Sequence, residues 1–415
     1  MERTVAPSKV KGTVKAPASK SMTQRAIAAA LLAGGESTIV NPSYCDDSLA
    51  AMTIATGLGA RVHPDKAEMK ITGGRILREH KLNCGESGLA VRMFSPIAAL
   101  WPEEIVMTGA GSLKNRPMSM IEEALRQFRV GCSSNNGFLP LTIKGPLKGG
   151  ECEIDGSISS QLLTGLLMAL PVAGKNSIIR VNDLKSRPYI DMTLQVLDKF
   201  GIKVTNDNYS KFLITGNQEY KAIRYEVESD WSGGAFLLVA GAINGEITVN
   251  GLRADSRQSD KAILGALESA GARMTIKEKS VRISRSGLRA FKFDATESPD
   301  LFPPLVVLAA CCSGVSVIKG VSRLMHKESN RAIVLKEEFG KMNISIEIRG
   351  DTMLVSGGEI KGALIDPAND HRIAMAAAVA ALRADDRMLI KDSYCVAKSY
   401  PEFFHDLKKL GAQVY

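Results

Sequence analysis

A run of small apolar residues recurs six times along the chain, roughly every 70 residues, and this recurrence restricts the fold more than any other feature. The runs read "SKSMTQRAIAAALLAGG", "GESGLAVRMFSPIAAL", "SSQLLTGLLMALPVAG", "DWSGGAFLLVAGAING", "SPDLFPPLVVLAACCSG" and "NDHRIAMAAAVAALRA". Each follows a polar cluster and precedes a strand-like stretch such as "STIVN", "NSIIRVN" or "VSVIKG". A second series has the same period. "LGARV", the degenerate "FRVGC", "FGIKV", "AGARM", "FGKMN" and "LGAQV" place Gly59, Arg129, Gly201, Gly271, Gly340 and Gly411 at intervals of 70, 72, 70, 69 and 71 residues. Two series sharing one period argue against chance likeness among alanine- and leucine-rich helices.

Helices apolar on every face must be buried on every side. A chain of 415 residues exceeds one ordinary core, so bundles of three such helices inside two domains, each wrapped by strands, are expected. The helices open on Ser, Asp, Gly or Asn, residues that cap helix starts. If they run parallel within a domain, their positive ends emerge on one face, and two such faces would make an anion-binding cleft.

The basic residues ahead of "AIAAALLAGG" imitate a secretory leader, but that run is simply the first of the six. The longest uncharged apolar run, "LFPPLVVLAACC", has 12 residues, whereas a membrane-spanning helix needs ~20. No membrane partner is expected. Seven cysteines without a CxxC, and five histidines without metal-ligand spacing, suit neither a disulfide framework nor a metal site, and a cytoplasmic location is expected. The net charge of +9 favours anionic partners, but 5% aromatic residues and no basic run make nucleic acid a poor candidate. Small anions remain. There is no GxxxxGK[ST] loop and no dinucleotide-binding unit, so no cofactor is expected.

Charged and hydroxylic residues gather at the helix starts. Lys20, Ser21 and Arg25 open the first run, where cations are unfavourable beside the positive end of a helix unless an anion binds. Repulsion between Lys20 and Arg25 is therefore expected to hold the cleft open until substrate arrives. Ser159, Ser160 and Gln161, with Ser186 and Tyr189, supply hydroxyls and an amide, and Arg116 precedes Pro117. Asp300 sits ahead of the fifth run, as a cap or, desolvated beside a hydroxyl, as a general base. Lys327, Glu328 and Arg331 crowd "HKESNR", His371 and Arg372 open the sixth run, and Lys398 follows the sixth strand. Taken singly, each has an ordinary structural explanation. Their recurrence at equivalent ends of the repeats points to a substrate with several anionic groups and proton transfer between them, as in a transferase or lyase acting on phosphorylated, carboxylated small molecules.

The motifs "SKSMTQR", "CGESG", "NRP", "DGSISSQ", "SRPYID", "SPD", "KESNR", "DHRIAM" and "CVAKSYPEFF" resemble, in order and spacing, the EPSP synthase (3-phosphoshikimate 1-carboxyvinyltransferase) family over essentially the full chain. The resemblance implies two inside-out α/β domains of three repeated units each, with the active site in the interdomain cleft. Residues 1–18 and 229–415 would form one domain and 19–228 an inserted second. It also implies transfer of an enolpyruvyl group from phosphoenolpyruvate to the 5-hydroxyl of shikimate 3-phosphate, with no metal or cofactor, in a cytoplasmic monomer. Lys20, Ser21, Arg25, Ser159, Ser160, Gln161, Ser186, Tyr189, Asp300 and Lys327 would bind shikimate 3-phosphate. Lys20, Gly88, Arg116, Gln161, Arg331, Arg372 and Lys398 would bind phosphoenolpyruvate. Asp300 would be the base near the 5-hydroxyl and Glu328 the proton donor and acceptor at the methylene carbon, with Lys20, His371 and Lys398 also catalytic.

Four positions bear on that pattern. Glu86 and Leu89 replace the family's usual Asn and Thr in "GESGL", and Glu86 is expected to pair with a lysine or arginine. Arg323 stands where many relatives carry Asn. Gly88 is kept, which implies sensitivity to glyphosate. The related UDP-N-acetylglucosamine enolpyruvyl transferases carry a reactive cysteine shortly before their "RP", whereas this chain reads "GAGSLKNRP". A non-enzymatic polyanion-binding protein is the remaining alternative.

Overall fold

A computed structural model describes residues 2–325 and 327–415. The chain divides into two compact units, Met1–Pro17 with Glu228–Tyr415, and Ala18–Val227. The crossings fall at 17/18 and 227/228, one residue before those expected. Each unit has its own apolar core.

The unit Ala18–Val227 contains inner helices Lys20–Leu32, Gly88–Ala98 and Gln161–Ala169, buried around almost their whole circumference. The second and third inner helices approach closely at Gly165, where a Cβ would stand 2.6 Å from the Met93 carbonyl oxygen and 2.8 Å from that of Arg92. The other unit contains inner helices Trp231–Asn244, Phe302–Ala310 and His371–Ala381, which pack pairwise on one another.

Each inner helix runs into the second strand of a four-stranded sheet. Gly245–Asn250, for example, pairs in parallel with Val10–Lys15 and antiparallel with Ser280–Ser284, which pairs in turn with Arg273–Lys277. The same order recurs in all six four-stranded sheets of the described residues. In the sixth, Arg3–Ala6 lies between Met388–Ile390 and Gln413–Val414, so the start of the chain completes the last repeat.

Outer helices Asp46–Gly57, Ser119–Gln127, Arg187–Lys199, Ile263–Ser269, Arg331–Lys341 and Phe403–Lys409 carry the second sequence signal at their ends. Each stops where the second residue after it turns left-handed: Gly59 (φ 117°), Arg129 (59°), Gly201 (85°), Gly271 (83°), Asn343 (64°) and Gly411 (102°). This helix-ending conformation favours Gly and tolerates Asn. It corrects the fifth equivalence, because Gly340 lies inside its helix and Asn343 holds the marker position.

Capping is also less uniform than expected. Side chains of Ser19, Ser87, Asp230 and Asp370 accept backbone N–H bonds at the first, second, fourth and sixth inner helices. Ser160 makes no such bond at the third, and the fifth is entered through a 3-10 turn, Pro299–Leu301, whose carboxylate is not a cap.

Candidate functional site

In the unit Ala18–Val227, the first inner helix brings Lys20, Ser21 and Arg25 to its opening turns. Lys20 Nζ lies 2.9 Å from Asp47 Oδ2, in the first turn of the adjoining outer helix. Arg25 is buried and held entirely by uncharged oxygens: Nε donates to Thr193 Oγ1 (2.9 Å), Nη1 to the Ser21 carbonyl (2.9 Å), and Nη2 to the Tyr189 carbonyl (3.2 Å) and Thr164 Oγ1 (3.4 Å). Burial lowers its pKa to about 10, opposed by Tyr189 and Tyr225, so it stays charged at neutral pH. The expected dependence of these cations on a bound anion is therefore corrected. Asp47 compensates Lys20, and four oxygens solvate Arg25.

The second inner helix starts at Gly88, where an added Cβ would fall 2.6 Å from Arg116 Nη1 and 3.1 Å from Arg92 Nη1. The glycine leaves room for two guanidinium groups, both on buried residues. Arg92 Nη1 donates to Gln161 Oε1 (2.9 Å) and Nη2 to the Pro117 carbonyl (3.2 Å), so Gly88, Arg92, Arg116 and Gln161 form one group. The Gln161 N–H donates to Ser159 Oγ (3.2 Å), and Ser160 is the residue preceding the third inner helix. Ser186 adopts a left-handed conformation (φ 58°, ψ 44°), uncommon for a residue with a Cβ and frequent at functional sites. Glu86 Oε2 accepts from the N–H (3.1 Å) and hydroxyl (3.3 Å) of Ser112, a turn that leads to Arg116.

The other unit gathers a denser charge cluster. Asp300 Oδ1 accepts from Lys327 Nζ (3.2 Å) and Arg331 Nη1 (3.0 Å), and Oδ2 from Arg372 Nη2 (3.0 Å). Three cations thus converge on one carboxylate, from positions 27, 31 and 72 residues further along the chain. Arg331, 0% exposed, also donates to Glu328 Oε2 (2.6 Å) and spans both oxygens of Asp370, at 2.9 and 3.2 Å. Burial opposes the Arg331 charge, but Asp370, Glu328 and Asp300 outweigh it and raise its pKa. Burial lowers the pKa of Lys327, and Asp300 opposes that shift. Lys398 Nζ donates to the Asn369 carbonyl (2.8 Å), and His371 is buried at the first position of the sixth inner helix.

Reading the sequence missed Arg92, Asp47 and Asp370. Arg92 follows Gly88 by four residues as Arg25 follows Ser21, a signal that was present. Asp370 lies inside the quoted "NDHR" but reads as a cap, and it is one as well, accepting the Arg372 N–H at 3.0 Å. Among the described residues, no three His, Cys, Asp or Glu side chains gather as metal ligands would. Chemically, the two clusters offer guanidinium and ammonium groups for phosphates and carboxylates, with two carboxylates placed among them for proton transfer.

The family model for EPSP synthase (3-phosphoshikimate 1-carboxyvinyltransferase) matches residues 5–407. A 3-phosphoshikimate 1-carboxyvinyltransferase from Clostridium perfringens is 39% identical over 413 residues, covering 98% of this chain and 97% of that protein. Its counterpart from Clostridium acetobutylicum is 40% identical over 414 residues, covering 98% and 96%. The solved EPSP synthase of Acinetobacter baumannii superposes with a TM-score of 0.84 at 25% identity, over 100% of this chain and 99% of that one.

Proposed function

The chain belongs to the EPSP synthase family, and we propose that the clusters of its two units hold the substrates of that family's reaction. The enzyme transfers the enolpyruvyl group of phosphoenolpyruvate to the 5-hydroxyl of shikimate 3-phosphate, releasing phosphate, in the shikimate pathway to aromatic amino acids. Arg25, Ser21, Ser159, Ser160, Gln161, Ser186, Tyr189 and Lys327 bind shikimate 3-phosphate. Arg116, Arg331, Arg372, Lys398 and the space over Gly88 receive phosphoenolpyruvate, with Lys20 serving both. Arg92, which holds Gln161, orients that group.

The observation that carries this reading is the convergence of Lys327, Arg331 and Arg372 on Asp300 at 3.0–3.2 Å. Asp300 holds three cations suited to phosphate and carboxylate. Arriving anions compete for those cations and leave Asp300 to accept the proton of the 5-hydroxyl as its oxygen bonds to the central carbon of phosphoenolpyruvate. Glu328 delivers a proton to the methylene carbon, giving a tetrahedral adduct. Return of a proton from the resulting methyl group to Glu328, and departure of phosphate with the proton held by Asp300, complete the transfer. His371, Lys20 and Lys398 adjust charge near the departing phosphate.

We propose further that the enzyme works as a monomer in the cytoplasm without nucleic-acid partners; seven cysteines with no CxxC spacing support a reducing compartment. The test is phosphate release from phosphoenolpyruvate with each acceptor in turn. Release with shikimate 3-phosphate and none with UDP-N-acetylglucosamine is expected, and the reverse would refute the reading.

A further inference from the structure

Asp260 lies in the 3-10 turn Ser259–Ala262 and is 2% exposed. The Ser232 hydroxyl, from the fourth inner helix, donates to Oδ2. Oδ1 is buried and has no hydrogen-bond partner among the described residues. The neighbouring Ser259 hydroxyl donates to the Glu297 carbonyl (2.6 Å), which ties this turn to the segment that delivers Asp300. The charged groups acting on Asp260 are Asp300, Arg372 and Asp230. Asp230 caps the fourth inner helix, and the adjoining helix Ile263–Ser269 adds only Glu268, which is exposed. Lys261, on the turn itself, donates to the Ala254 carbonyl.

A dry carboxylate with one unsatisfied oxygen is far better accommodated as the neutral acid. Its ionisation has a second consequence. The turn is tied to the Asp300 segment through Ser259 and Glu297, and Arg372 is among the charges acting on it, so a negative charge here is added to a cluster that must attract anions. We propose that Asp260 is a positioning residue that sets the anion affinity of the Lys327, Arg331 and Arg372 cluster, leaving Arg372 available when neutral and drawing it away when ionised. Burial first, and then the Asp300 charge, push the Asp260 pKa up to about 7 against the opposing pull of Arg372 and Ser232. Ionisation therefore falls near neutral pH. By reciprocity, an anion that binds the cluster must draw a proton onto Asp260.

The proposal rests on the reading that this cluster binds substrate anions. Sulfate tests both, because its charge is constant between pH 6 and 8. As an inhibitor competing with phosphoenolpyruvate, sulfate should bind the native enzyme at least about fivefold more weakly at pH 8 than at pH 6. The isosteric Asp260→Asn variant, permanently neutral, should lose most of that slope. Equal slopes in both proteins, or none in either, overturn the role of Asp260 while leaving the anion site intact. A complete failure of sulfate to compete overturns the anion site and the proposal with it. Calorimetry of sulfate binding to the native enzyme at pH 7, in buffers of differing ionisation heat, needs no variant to fold. Uptake of a fraction of a proton is expected, and zero uptake overturns the proposal. A merely structural Asp260 would alter stability without moving either readout.

Discussion

Arg331 and Asp370 face each other as a fully buried pair, with Nε 2.9 Å from Oδ2 and Nη2 3.2 Å from Oδ1. The same carboxylate caps the sixth inner helix through the Arg372 N–H, so one aspartate fixes a cation and a helix start together. Asp370→Asn preserves a capping oxygen but removes the charge. Taking one partner from a buried pair costs about 3–5 kcal/mol. Glu328 and Asp300 still face Arg331, so a loss near the lower figure is expected, read as a shift in the urea midpoint. Asp370→Ala should lose about 1 kcal/mol more through the missing cap. Equal midpoints for Asp370→Asn and the native protein would contradict the assignment.

Asp300 occupies three cations, so its removal should separate binding from turnover. In Asp300→Ala, turnover should fall by about 10²- to 10⁴-fold, the range for a lost general base. Affinity for sulfate should stay the same or rise, because Lys327, Arg331 and Arg372 no longer share a carboxylate. The variant should be less stable than native protein until sulfate is added. Weakened sulfate binding in a folded variant would count against Asp300 as the occupant of the anion site.

Gly88 is set by a neighbour rather than by its own backbone. A methyl at this position would stand 2.6 Å from Arg116 Nη1, the movable end of a side chain, so Arg116 must shift while the helix can stay. Gly88→Ala should therefore raise KM for phosphoenolpyruvate about tenfold or more with a smaller change in kcat, the pattern of a displaced binding group. Native turnover should be inhibited by millimolar glyphosate, and Gly88→Ala should weaken that inhibition. Unaltered KM with full glyphosate inhibition in the variant would show that Arg116 does not approach the ligand.

Arg25 depends on hydroxyls from two other helices. Thr193→Val keeps the shape of the side chain but removes the oxygen that accepts from Nε and bridges to Thr164 Oγ1 at 3.0 Å. A buried donor on a charged group, left unmatched, costs about 1–3 kcal/mol. A loss in that range is expected from chemical denaturation, along with a higher KM for shikimate 3-phosphate. A change confined to stability would make Arg25 structural only.

The repeats were legible in the sequence because all-round burial leaves a compositional mark that needs no partner to be recognised. The left-handed marker was legible wherever glycine filled it. It was misplaced at Gly340 because Asn343 performs the same backbone role without the same letter. The site was legible as a set of cations at helix starts, but its internal pairing was not. Lys20 meets Asp47 across 27 positions, Arg25 meets Thr193 across 168, and Arg372 meets Asp300 across 72. Such compensation is created only when the repeats stack, which is why Lys20 and Arg25 read as unfavourable at a helix start. Asp260 carried no sequence signal, since its character comes wholly from burial beside residues more than 25 positions away.

Asp260 also makes a prediction about stability. Its pKa in the folded protein, about 7, is raised above the value of about 3.9 for an unfolded chain. Between those values the folded state holds a proton that the unfolded state has released, so this group's contribution to stability falls as pH rises from about 4 to 7 and levels off above that. A shift of that size corresponds to roughly 2–4 kcal/mol, the upper end applying if no neighbour relaxes. Asp260→Asn is neutral throughout and escapes the loss. About one pH unit of the loss precedes pH 5, so relative to native protein it should gain about 1–3 kcal/mol of stability between pH 5 and pH 8, read from urea midpoints at the two pH values. A constant difference between the proteins across that interval would mean that Asp260 does not change its protonation there.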